Sequence, residues 1–82
     1  MSLPLYDRVA LRRDIPEHNL RQGDVAVLVD YAAHPQGEEE GCILEIFNAV
    51  GESIAVVAVP VSSVEALRAD EVLAVRHLAK AG

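Results

Sequence analysis

Aromatic side chains are nearly missing: there is no tryptophan, and Phe, Trp and Tyr make up only 4% of the 82 residues. Any core must therefore be built from Val, Leu, Ile and Ala, which fill a narrow sheet interior but bury less area apiece than rings. Cysteine occurs once, as Cys42. One thiol closes no intramolecular disulfide and supplies no CxxC metal or redox pair, which fits a reducing compartment and predicts a cytoplasmic protein. Long apolar runs are lacking too. The longest, Ile54 to Val61, falls far short of the roughly 20 residues a membrane helix needs. Met1-Ser2-Leu3-Pro4 lacks the basic region and apolar run of a secretory leader, so no membrane partner is expected. Basic charge is scarce, with 7 Lys and Arg against 13 Asp and Glu and a net charge of −6. This balance disfavours a phosphate-backbone binder, whose affinity comes from cations displacing counterions. Arg8, Arg12 and Arg13 cluster near the start without an aromatic platform. They read as a solvated strand face, and no nucleic-acid partner is expected.

What is abundant is aliphatic carbon. Residues of the AVILMFWYC group form 51% of the chain, on a length that supports one domain and no second core. High apolar content on so small a body predicts that some surface is covered by another molecule, and a second copy is the simplest candidate. The expected assembly is a homodimer.

The polypeptide reads as short strands joined by polar turns, in the manner of a small, strongly bent β-barrel. Leu5 to Arg13 alternates, with Val9 and Leu11 on one side. Asp14 to Gln22 is a polar loop with Pro16 and a single apolar anchor, Leu20, and Gly23-Asp24 is a turn. Val25 to Tyr31 is a second strand, apolar on both faces: Val25, Val27, Val29 and Tyr31 against Ala26, Leu28 and Asp30. Ala32 to Gly41 breaks the pattern with His34-Pro35-Gln36-Gly37 and Glu38-Glu39-Glu40, a solvated loop. Cys42 to Phe47 and Ser53 to Val59 are strands three and four. The hairpin between them is Asn48-Ala49-Val50-Gly51, with Gly51 at the positive-φ position. The fourth strand has no polar face, and a sheet region apolar on both faces is covered on both. Pro60 ends it, and Val61 to Leu67 holds a short turn and a brief fifth strand.

From Asp70 the pattern changes. Asp70 and Glu71 suit a helix start, Arg76, His77 and Lys80 suit its end, and Val72, Val75 and Ala79 line one face. This predicts a C-terminal helix of about three turns, docked on the outer face of strands three and four. The alternative is that Glu71–Arg76 adds as a strand to a sheet edge, in the same or a second subunit. The domain division is thus a barrel over residues 1–68 and a C-terminal helical extension over 69–82, packing on the barrel or on a second subunit.

Four stretches carry a family likeness: Leu5-Tyr6-Asp7-Arg8-Val9-Ala10-Leu11, Asp14-Ile15-Pro16-Glu17, Leu20-Arg21-Gln22-Gly23-Asp24-Val25, and Ile54 to Pro60. Over about residues 5 to 68 the chain resembles a family of short bacterial domains of unknown function, of the DUF4926 type. The resemblance implies a mainly β fold, a small five-stranded SH3-like barrel similar to the barrel of the nitrile hydratase β subunit. It implies no catalytic residues. Members usually carry a glycine in strand two that lets the barrel bend; Ala26 and Val27 stand there in this chain.

Reactive constellations are not apparent. His18, His34, His77 and Cys42 show no metal-ligand spacing, and no metal or cofactor is expected. Cys42 has glutamates before it, which disfavour a thiolate nucleophile. Ser53, Ser62 and Ser63 lack a GxSxG elbow. Asp7, Asp14 and Asp24 sit at strand and turn ends, where Asp commonly bonds backbone amides. A catalytic function is not expected. Two loops instead offer a candidate partner surface: Glu17, His18 and Arg21 from the first, with Tyr31, His34, Glu38, Glu39 and Glu40 from the second, an acidic groove suited to a basic protein. The candidate oligomer surface is Ile43, Phe47, Ile54, Val56 and Val57. The expected function is a non-enzymatic interaction or assembly module. The alternative is an accessory subunit of a larger enzyme or toxin–antitoxin-type complex.

Overall fold

A computed structural model describes residues 3–33 and 39–78. Five strands form one antiparallel sheet: β1 (Arg8–Leu11), β2 (Val25–Ala32), β3 (Gly41–Phe47), β4 (Ser53–Pro60) and β5 (Val64–Ala66). Their order is β4-β3-β2-β1-β5. The first four strands form a meander, and the fifth returns to pair with β1. The sheet does not close, so β4 and β5 are its edges.

Strand β1 is shorter than the alternation from Leu5 to Arg13 predicts. Tyr6 holds a left-handed backbone at φ 68, which interrupts the extended conformation ahead of Asp7. The pairing with β2 nevertheless continues past the kink, where the Tyr6 N–H donates to the Leu28 carbonyl and the Leu28 N–H to that of Asp7.

One apolar cluster draws on every strand: Val9 and Leu11 of β1, Ala26 and Leu28 of β2, Cys42, Leu44 and Ile46 of β3, Val57 and Val59 of β4, and Val64 of β5. Ile15 and Leu20, which bridge to each other across the 3₁₀ turn at Pro16–His18, close it from the first loop. Leu20 is thus the loop's anchor.

A bulge in β2 redirects the chain. Leu28 pairs with Leu44 but Asp30 with Ile43, leaving Val29 as the extra residue. One extra residue exchanges the faces of everything after it. Tyr31, which simple alternation places with Val25 and Val27, instead lies opposite buried Cys42 and packs against the core. Its hydroxyl donates to the Leu3 carbonyl at 2.7 Å.

Beyond β5 the structure departs from expectation. The described residues contain no α-helix, and residues 67–78 form neither helix nor strand. A three-turn helix is marginal alone and depends on docking its apolar stripe. Here Val72 and Val75 are 91% and 88% exposed, so nothing receives that stripe. Residues 79–82, also assigned to the expected helix, lie outside the described residues.

Candidate interaction surface

Edge strand β4 is two halves with different surroundings. Val57 and Val59 are buried, whereas Ser53 through Val56 are exposed. Register explains the split. Val57 lies opposite Leu44 and Val59 opposite Cys42, over the core; Val56 lies opposite Glu45, on the outer face. Val57 therefore does not belong to the oligomer surface assigned from the sequence. A second bulge, between Ile46 and Phe47, pairs Ile46 with Ala55 and Phe47 with Ser53, so Ile54 is extra. Phe47, Ile54 and Val56 are left 40%, 43% and 62% exposed around the start of the strand, while Ile43 is half-buried.

The turn feeding this strand is tightly built. Gly51 has φ 86, as its position in the hairpin predicts, and its N–H donates to the Asn48 carbonyl at 3.1 Å. The Asn48 side-chain oxygen accepts from the Val50 and Glu52 amides, and its amide nitrogen donates to the Glu52 carboxylate. The apolar edge is therefore presented on a fixed hairpin.

The C-terminal segment forms the opposite wall of an open groove of about 1050 Å3, facing the sheet end where β2 begins and β3 turns into β4. One clasp fixes it. The Arg76 guanidinium donates Nε to Asp24 Oδ1 at 2.8 Å and Nη2 to Asp24 Oδ2, and Nη2 also reaches the Asn19 carbonyl at 3.1 Å. Asp24 further accepts the Arg21 amide at 2.8 Å. Burial raises the Asp24 carboxyl, but hydrogen bonds from Arg76 and Arg21 and their charges outweigh it, holding the group below its ordinary pKa. The same hydrogen bond raises Arg76. Sequence reasoning assigned Arg76 to a helix terminus and missed this pair. Fifty-two positions separate the partners, and no local spacing marks such a contact.

Among the described residues, the loop positions assigned to a partner surface do not line one groove wall. Glu17 and His18 are exposed on the 3₁₀ turn, and Arg21 is exposed beside the clasp. Tyr31 is half-buried against the core. Glu39 accepts from the Ser62 amide and hydroxyl at 3.0 and 2.9 Å, contacts that lower its carboxyl pKa, and Arg13 donates to the same hydroxyl. The Glu40 carbonyl accepts the Val61 amide. Glu39 and Glu40 thus tie the start of β3 to the turn before β5. His34 and Glu38 lie outside the described residues.

Cys42 is fully buried, and burial together with the Glu40 and Glu39 charges pushes its thiol up, away from thiolate. Asp14 accepts the Gln22 amide and Asp24 is held by Arg76, so the two carboxylates serve turns. Among the described residues, no three His, Cys, Asp or Glu side chains gather as a metal site, and no helix is long and apolar enough to cross a membrane.

Fold and surface together define a small antiparallel β domain with an exposed apolar edge. Residues 5–66 match the model of a domain of unknown function (DUF4926), and the chain belongs to that family. Comparison with curated proteins and with solved structures gave no match.

Proposed function

We propose that the protein is a non-enzymatic assembly module that joins a second copy of itself through the start of β4, in a small SH3-like barrel. The barrel reading rests on the meander with a returning fifth strand and on one core fed by both edge strands. The assembly reading rests on one observation: Phe47, Ile54 and Val56 stand exposed together on an eight-residue edge strand whose outer backbone is unpaired among the described residues. Native edges are usually protected by brevity, charge or proline within the strand. The other edge, β5, has three residues and carries Glu65. Strand β4 has no charged residue, and its one proline, Pro60, is its last residue, away from the exposed half. Covering the part of each side chain that is still exposed is worth about 1 kcal/mol apiece.

Sedimentation equilibrium at micromolar concentration tests this. The wild type is expected to be dimeric. Val56→Lys, which alters a side chain outside the core, is expected to be monomeric with an unchanged melting temperature for the isolated chain. A wild type that remains monomeric at tens of micromolar would remove the reading.

A further inference from the structure

Residues 71–78 form neither the expected helix nor a strand and hold no ladder, and Glu71–Arg76 is the stretch whose sequence also admits an added edge strand. Beyond the Glu71 amide, which donates to the Arg68 carbonyl, none of their backbone amides bonds another described residue. Their large apolar side chains, Val72, Leu73, Val75 and Leu78, are all more than half exposed. A segment with unbonded backbone amides and unsheltered β-branched side chains carries the groups that a sheet ladder uses.

We propose that this segment of one copy adds to the open edge of β4 in a second copy, reciprocally, giving a two-fold dimer. The inference rests on the self-association reading above and names the element that makes the contact. Three observations support a second copy as occupant. First, the donor and the acceptor are both present in every chain, which is what an isologous interface requires. Second, the charge balance permits like to meet like: Arg76 is already neutralised by Asp24 within its own chain. The groove walls carry Arg8 and Arg76 against Asp24 and Glu71, two cations and two anions, so this region is neutral in a chain of net charge −6. That suits a like-charged sister molecule better than a strongly basic partner. Third, the Arg76–Asp24 clasp holds the segment at one point and leaves Val72 and Val75 facing outward. The strand is thereby presented with less chain entropy to lose on pairing.

The test uses the full chain with Val75→Pro, which removes a backbone donor in the segment and lies outside the domain's own core. Val75→Ala, which keeps the donor, is the control. Sedimentation equilibrium and thermal melting are recorded for all three proteins. The expected result is a dimer for wild type and Val75→Ala. For Val75→Pro the dissociation constant should rise about tenfold or more, with an unchanged monomer melting temperature. Equal dimerisation of wild type and Val75→Pro would overturn the inference while leaving self-association through β4 intact. A monomeric wild type would overturn both.

Discussion

Arg76 and Asp24 show how one side chain can tie a segment without helix or strand back to the sheet domain. Their side chains are 29% and 19% exposed, so solvent screens the pair and it contributes at most about 1 kcal/mol. Its effect is local: Arg76→Ala is expected to leave the melting temperature nearly unchanged while sharply increasing proteolytic cleavage after residues 71–78. The pH dependence follows from the lowered Asp24 carboxyl. A carboxyl whose folded pKa lies below its unfolded value stabilises the fold above that unfolded value, about 4, and loses the contribution as pH falls through the folded one. The difference in cleavage between wild type and Arg76→Ala should therefore be full at pH 7 and disappear on acidification below about pH 4. A difference that persists unchanged at pH 2 would show that Asp24 is not the partner that matters. Individual core residues were more legible than this pair. Val9, Leu11 and Leu20 announce themselves by alternation and by isolation in a polar loop, because burial is a local property of pattern. A pair 52 positions apart is a property of the folded chain alone.

At the scale of elements, periodicity located the strands and failed where geometry departs from a period of two. The order strand, loop, strand, hairpin, turn and short strand follows from Gly, Pro and Asp punctuation and matches the observed order. The two bulges did not show. Val29 and Ile54 are ordinary β-branched residues, and nothing in their identity says that each is the extra residue of its strand. The consequence at β2 is large, since Tyr31 turns inward. The irregularity in this strand falls just beyond Ala26 and Val27, between Leu28 and Asp30. The C-terminal helix was misread for a related reason: acidic residues before basic ones suit a helix dipole, but the decisive quantity is a docking face, and none is offered. The β3–β4 turn shows the opposite case, where one glycine carries the signal. Gly51→Ala places a Cβ at φ 86 and is expected to cost about 1 kcal/mol. Differential scanning calorimetry should show a melting temperature lower by about 4–8 °C. No loss of stability would mean the turn relaxes to another form.

For the whole molecule, the sequence posed a problem that the fold solves only in part. A short chain with 51% apolar residues and a strand without a polar face needs shelter for both sides of that strand. The structure shelters Val57 and Val59 and leaves Ile54 and Val56 in the open. An exposed apolar edge and a segment whose amides are unbonded give the domain an acceptor and a donor for the same kind of contact. The acidic balance, kept away from the groove, limits wider aggregation by repulsion between bodies. Amide hydrogen exchange along Ser53–Val59, measured as a function of protein concentration, tests this account most directly. Edge amides that do not bond β3 should exchange rapidly at submicromolar concentration and become protected as concentration rises through the dimer transition. Rapid exchange at every concentration would contradict the claim that a second copy covers this edge.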